Sequence, residues 1–260
     1  MTAAASGDPR ARDAGGTTLR AAGIAKSFHG VRALDGVDLT LAPGRAIGLL
    51  GPNGSGKTTL INCLSGVLAP TAGEVFIDER PISRLSRAAR ARRGIARTYQ
   101  NLRLFPALSV AENIEAGMAG ARPALSAAQW RARLADALAM QGLGRFAHQP
   151  VGTLPYGLQK RTEIARALVA RPKILLLDEP AAGLGREDWT SLAQSLGQAQ
   201  AAAGFGMLLV DHNVAFVTRL VGWLVVLANG KVIRAGEPAA VLADAEVARI
   251  YLGDMAHAPH

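Results

Sequence analysis

The chain has 260 residues, 49% of them hydrophobic, and 29 lysines and arginines against 20 aspartates and glutamates give a formal net charge of +9. A mean hydropathy of +0.17 describes an apolar globular chain, and no run approaches the ~18 apolar residues of a membrane span, which excludes a chain that crosses a bilayer by itself. A single cysteine, Cys63, excludes an intrachain disulfide framework and fits a reducing compartment.

In chain order, Met1 to Thr17 is rich in Ala, Gly, Asp and Arg without an apolar core, so it reads as a disordered lead-in and not as a signal peptide. Leu19 to Phe28 and Val37 to Leu41 alternate as strands, with turns expected at His29-Gly30 and Asp35-Gly36. Pro43-Gly44 turns into a buried strand over Arg45 to Leu50. Thr59 to Leu64 then reads as a helix with Leu60, Ile61 and Leu64 on one face, where Cys63 is a small core residue. Glu74 to Asp78 is a further strand, Ser86 to Arg93 a helix and Gly94 to Gln100 a strand.

Arg80, Arg84, Arg87, Arg90, Arg92, Arg93, Arg97 and Arg103 form a basic block with no acid between Glu79 and Glu112. Nucleic-acid binding would want interleaved aromatics, which the block lacks; a solvated helix face or attraction to an anionic leaflet suits it better. Beyond Ser109 the pattern is helical, with Ser109 and Ser126 as caps and Trp130, Leu134 and Leu138 as a packing stripe. Ile174 to Leu177 and Met207 to Val210 are apolar runs of strand length, as in a parallel sheet covered on both faces. Ala228-Asn229-Gly230 between Trp223 to Leu227 and Lys231 to Ala235 signals a hairpin. A helix over Pro238 to Leu252 precedes a polar tail, residues 254–260.

The chemistry centres on Gly51-Pro52-Asn53-Gly54-Ser55-Gly56-Lys57-Thr58-Thr59, which fits the phosphate-binding pattern G-x-x-x-x-G-K-[ST] between a strand and a helix. Free N–H groups and the helix dipole favour an anion there. Glycine at 51, 54 and 56 permits positive φ and close wrapping. Lys57 supplies a charge to the β- and γ-phosphates, and the Thr58 hydroxyl suits Mg²⁺. Leu177-Asp178-Glu179 puts two carboxylates at the end of a buried strand, Asp178 to orient Mg²⁺ through its waters and Glu179 to polarise an attacking water. Val210-Asp211-His212 repeats that geometry, so that His212 can reach a γ-phosphate. Gln100, expected at a strand end, suits sensing of the metal and the attacking water, or is a surface residue.

Taken together, Phe28, Gly51 to Thr59, Gln100, Leu154-Pro155-Tyr156-Gly157-Leu158-Gln159-Lys160-Arg161, Ile174 to Glu179 and His212 resemble the ATP-binding-cassette (ABC) ATPase family, over about Leu19 to Leu252. The resemblance implies an α/β fold: a P-loop RecA-like core with a small antiparallel β-subdomain and an inserted α-helical subdomain at about 104–165, all within an ATPase domain spanning 18–253. It implies ATP and Mg²⁺, with Phe28 stacking on adenine and Thr58, Gln100 and Asp178 serving the metal. Tyr156 and Gly157 would complete the site of the opposite subunit in a head-to-tail dimer.

Ala96 to Phe105, Glu179-Pro180-Ala181-Ala182-Gly183-Leu184 and the tail Gly236-Glu237-Pro238 to Gly253 further resemble ATPase subunits of branched-chain amino acid importers. That implies a peripheral subunit on the cytoplasmic face of the membrane, working as a homodimer or heterodimer with permease subunits and indirectly with a solute-binding protein, without nucleic acid. The alternatives are an exporter or lipid-transport ATPase, and a soluble ABC protein, which would carry two cassettes or a long coiled coil. A P-loop kinase or GTPase leaves Leu154 to Arg161 and His212 unexplained. Two departures stand out: Pro155 replaces the signature serine and its N–H, and Gly185 replaces an expected acidic or amide residue.

Overall fold

The computed structural model describes residues 16–119 and 125–255. The expected lead-in falls almost wholly outside them, as do the last five residues of the tail. In order the chain forms β1 (Leu19–Phe28), β2 (Val31–Leu41), β3 (Ala46–Leu50), α1 (Lys57–Ser65), β4 (Ala72–Ile77), β5 (Arg80–Pro81), α2 (Arg87–Arg92) and β6 (Ile95–Arg97). There follow α3 (Val110–Ala116), α4 (Ala127–Met140), α5 (Tyr156–Leu168), β7 (Ile174–Asp178), α6 (Arg186–Ala203), β8 (Gly206–Val210) and α7 (Val214–Leu220). The hairpin β9 (Trp223–Ala228) and β10 (Lys231–Gly236), then α8 (Pro238–Leu242) and α9 (Ala245–Met255), complete the described chain.

The sheets divide as their sequences suggest. Strands β2-β1-β4-β5 make an antiparallel sheet, and β10-β9-β3-β8-β7-β6 a second one. In the second, β9, β3, β8, β7 and β6 run parallel and β10 pairs antiparallel at the edge. Every residue of β3, β7 and β8 is buried, which is why their sequences show no polar face. Their side chains alternate between two cores. Ile47, Leu49, Ile174, Leu176, Leu208 and Val210 face the antiparallel sheet and α1. Ala46, Leu50, Leu175, Leu177, Met207 and Leu209 face α5, α6 and α7. A third core, from Val110, Ile114, Ala137, Leu154 and Val169, holds α3, α4 and α5 together, with Trp130, Leu134 and Leu138 packed against it.

Caps mark the helix starts. Ser109 and Ser126 each close a capping box, with Glu112 and Gln129. Ser86 caps α2, and Asn229 and Gly230 take the positive φ of the β9–β10 turn.

Four expectations need correction. Asp35-Gly36 lies inside β2, because Asp35 N–H donates to the Gly230 carbonyl and its carboxylate bonds Arg32 and Lys231, so the strand continues through the irregularity. The strand expected to reach Gln100 stops at Arg97; Thr98 N–H still donates to the Leu176 carbonyl of β7, and from Tyr99 onward the chain is tied to α5. The helix expected over Pro238 to Leu252 breaks at Asp244, whose carboxylate accepts from Glu246 N and Val247 N to start α9.

The basic block is not one solvated face. Arg90, only 1% exposed, donates to the carbonyls of Cys63 and Leu64 at 2.7 and 2.8 Å and to Ser83 at 2.9 Å. It thus satisfies the last turn of α1, where a cation suits the helix dipole. Arg97 is half-buried, its side chain almost sealed from water, and the other six arginines of the block are exposed.

Candidate functional site

The turn from β3 into α1 is built on backbone shapes that only glycine takes easily. Gly51, Gly54 and Gly56 have φ of 151°, 76° and 106°. Two of them also sit against backbone behind the loop. A Cβ on Gly51 would lie 2.1 Å from the Leu227 carbonyl oxygen, and one on Gly56 2.5 Å from that of Ala33. The Gly230 N–H donates to the Ser55 carbonyl, so the β9–β10 turn supports the loop from beneath. Lys57 Nζ lies across the loop, donating to the Gly51 and Pro52 carbonyls at 2.7 and 2.8 Å. Pro52 is half-buried, Asn53, Gly54 and Thr58 are exposed and Thr59 is intermediate. The Ser55 hydroxyl is buried without a hydrogen-bond partner, a polar atom that a bound phosphate would satisfy.

Three of the expected residues converge at the C-terminal end of the parallel strands. Glu179 follows β7 in a left-handed conformation, φ 50°, held by its N–H to the Val210 carbonyl. Its Oε2 accepts from Gln100 Nε2 at 3.0 Å, and its Oε1 lies 3.1 Å from His212 Nε2. A residue in that conformation is strained, and such strain concentrates where orientation matters. Gln100 is brought there by an exposed segment and not by a strand end.

Asp178, at the end of β7, is buried. Burial pushes its carboxyl up from the usual range, and the adjacent Arg97 opposes this. Arg97 donates to Asp178 Oδ2 at 2.9 Å, and to Asn62 Oδ1 and Ser65 Oγ of α1 at 2.6 and 2.9 Å. Asp178 Oδ1 has no hydrogen-bond partner. Among the described residues no group of three or more His, Cys, Asp and Glu side chains is placed to enclose a metal ion. The donor set instead suits a cation held chiefly by phosphate oxygens, with Thr58 and Asp178 at hand.

Phe28 ends β1 on the antiparallel sheet, 39% exposed, with the Lys26 ammonium 5.3 Å from its ring centre. Tyr156 and Gly157 form the first turn of α5. Tyr156 packs against Gly183, and Gly157 faces the Asp188 carboxylate, so both neighbour the segment after Glu179. Pro155 is the N-cap of α5 and Gly185 that of α6, and neither provides a side-chain cap.

Sequence reasoning missed the parts played by four residues. Arg97 was hidden in the basic block. Asp211, buried like Asp178, accepts from Ala181 N at 2.8 Å and Asn213 N at 2.9 Å, joining the segments after β7 and β8. Burial raises its carboxyl, and those two amides oppose the rise. Lys160 and Glu163 face inward as a buried pair; an acid three residues after a lysine was the only hint of it.

The chain resembles known proteins along most of its length. The ABC transporter family profile matches residues 34–182. The chain is 34% identical over 249 residues to the high-affinity branched-chain amino acid transport ATP-binding protein BraF of Pseudomonas aeruginosa, covering 91% of this chain and 98% of BraF. It is 37% identical over 237 residues to the lipopolysaccharide export system ATP-binding protein LptB of Escherichia coli, covering 91% and 98%. Its fold is similar to that of MJ1267, an ATP-binding cassette of an ABC transporter in its ADP conformation, with a TM-score of 0.81, 30% identity, and 91% and 99% of the two chains covered. It is also similar to the dimeric post-hydrolysis structure of the cassette MJ0796 bound to ADP and Pi, with a TM-score of 0.76, 29% identity, and 85% and 98% covered.

Proposed function

The chain belongs to the ABC transporter ATP-binding family, and on that premise we propose that it is the ATPase subunit powering an importer of branched-chain amino acids or related small solutes. The observation that carries the catalytic part is the Glu179 carboxylate held between Gln100 and His212, at the strand ends beside the glycine-rich loop. ATP enters with its phosphates on Gly51 to Thr59 and its base on Phe28. Lys57 turns from the loop carbonyls to the β- and γ-phosphates. Glu179 polarises a water toward the γ-phosphorus; the bond to the β-phosphate oxygen breaks, and ADP and phosphate leave. Gln100 orients that water, and His212 donates to the γ-phosphate. Thr58 and Asp178, with Gln100 near, would hold Mg²⁺ at the phosphates, where the ion would supply charge neutralisation.

Tyr156 and Gly157 complete the site of a second cassette, so ATP closes two subunits and hydrolysis reopens them. A shift from mostly open to mostly closed needs roughly 5 kcal/mol of differential affinity. Two or three charge-assisted hydrogen bonds of about 1.5–3 kcal/mol each supply it. Pro155 lacks two donors toward that site, a hydroxyl and a backbone N–H, which makes a heterodimer with a serine-bearing partner the more active arrangement. No described helix is long and apolar enough to cross a membrane, and the subunit works on the cytoplasmic face against permease subunits, with a solute-binding protein acting through them. Similarity to BraF supports the amino acid substrate.

The identity to LptB supports a second reading, lipid export. Purified complexes of this chain with its co-expressed permease partners separate the two. Stimulation of ATPase activity by branched-chain amino acids with their binding protein is expected, and stimulation by lipid alone moves the assignment to export. Glu179→Gln is expected to bind ATP, stall turnover and accumulate dimer. Normal turnover in that variant would falsify the role given to Glu179.

A further inference from the structure

One face of α5 carries Tyr156, Lys160 and Glu163, spaced so that they line up along the helix. Tyr156 lies against Gly183. Lys160 and Glu163 are only 1% and 2% exposed, and their Nζ and Oε2 stand 3.9 Å apart. Neither of those two atoms has a hydrogen-bond partner. A stretched ion pair of this kind is a poor source of stability, since apolar residues of the same bulk would often serve as well or better. What apolar residues could not do is bind the backbone opposite. Glu163 Oε1 accepts from Tyr99 N at 3.3 Å, and one turn further along α5 the Arg166 guanidinium donates to the Arg103 carbonyl.

The segment 99–103 therefore hangs from α5 at both ends, and it carries Gln100. The Tyr99 ring is held between the Arg97 and Arg103 guanidiniums, 4.9 and 4.2 Å from its centre. The Lys160 ammonium also lies within electrostatic reach of Asp178, Glu179 and Asp211, behind the catalytic carboxylates of its own subunit.

We infer that the Lys160–Glu163 pair is a positioning device that sets Gln100 against Glu179 according to where α5 lies. The helix whose first turn is offered to the neighbouring site thereby adjusts the water-orienting amide of its own. Neither residue touches substrate; Glu163 acts through the Tyr99–Arg103 backbone and Lys160 through Glu163. The inference rests on the roles proposed above for Gln100 and Glu179.

Two paired substitutions in the full-length chain test it. Lys160→Met with Glu163→Gln removes both charges but keeps an oxygen for Tyr99 N–H. Lys160→Met with Glu163→Leu removes that acceptor as well. The leucine version is expected to lower kcat for ATP about 10- to 100-fold, the cost of a misplaced catalytic group, while KM for ATP stays within about threefold. The glutamine version is expected to recover most of the rate. Equal kcat in the two variants, or a change confined to KM, overturns the inference.

A second measurement does not depend on the leucine variant folding. In Glu179→Gln protein, addition of ATP is expected to raise hydrogen-exchange protection at 99–103 together with the first turn of α5. Protection that rises at α5 alone overturns the inference. Gln100→Ala and Glu179→Gln serve as controls: normal turnover in them removes the site assignment itself. If they stall while the paired variants match each other, only the positioning role falls.

Discussion

Arg97 donates to Asp178 across 2.9 Å with both side chains almost sealed from water. The same guanidinium reaches Asn62 and Ser65 of α1, so one cation fastens the strand-end carboxylate to the helix that follows the glycine-rich loop. Removing one partner of a buried pair strands the other, at about 3–5 kcal/mol. Arg97→Ala is expected to lose stability on that scale in denaturant unfolding. Arg97→Lys keeps the charge without the fork and is expected to lose less.

Gly51→Ala is expected to damage nucleotide binding more than folding. The new methyl would meet the Leu227 carbonyl at 2.1 Å, and the residue would have to hold φ 151°. The loop must shift, at more than about 1 kcal/mol, and its N–H groups then leave their shared focus. ATP titration by calorimetry or a fluorescent analogue, beside a thermal melt, reads the two effects separately. Gly54→Ala meets no atom within 4 Å but is strained by φ 76°, so its effect is expected to be smaller.

The Asp35 carboxyl is held below its ordinary value of 3.8 by hydrogen bonds from Lys231 first and then Arg32. A carboxyl depressed in the folded state stabilises above its unfolded pKa, and that contribution is lost as pH falls through the folded one. Thermal melts of wild type and Asp35→Asn are therefore expected to differ most above pH about 4 and to converge as pH falls below it. A gap that widens with acid would contradict the assignment.

Asn113, buried in α3, accepts from Phe105 N at 2.8 Å and offers its amide to the Phe105, Leu108 and Ser109 carbonyls. It fixes the segment that presents Phe105 and Leu108 to solvent, 53% and 39% exposed. Asn113→Leu leaves those groups unmatched and is expected to cost about 1–3 kcal/mol. Limited proteolysis near Phe105 is expected to speed up while ATP affinity stays unchanged.

The parallel strands, the helix caps and the β9–β10 turn were legible because each rests on local rules: apolar runs, Ser with Glu or Gln three residues on, and Asn-Gly. Gln100, Glu179 and His212 were legible as a set of candidates, whereas their mutual contacts were not, since they depend on how far the chain travels after β6. Arg90 and Arg97 show where composition misleads. A run of arginines looks like a charged surface, but the carbonyls at the end of α1 and the Asp178 carboxylate each draw one arginine inward. The break at Asp244 escaped because its apolar residues continue in helical spacing on both sides. The spacing from Lys160 hinted at an ion pair for Glu163 but not at its hold on Tyr99, which lies 64 positions away in sequence.

The Ala33 carbonyl lies so close to both Gly56 and Gly230 that no side-chain carbon fits at either place. The sheet bearing Phe28 and the turn bearing Lys57 are consequently wedged into one block. Such a block is a fixed ruler: on the roles proposed for Phe28 and Lys57, it would set a nucleotide's base and its phosphates at one spacing. On the same proposal, any adjustment to a spent or fresh nucleotide falls to the opposite wall, to Gln100, His212 and the neighbouring cassette.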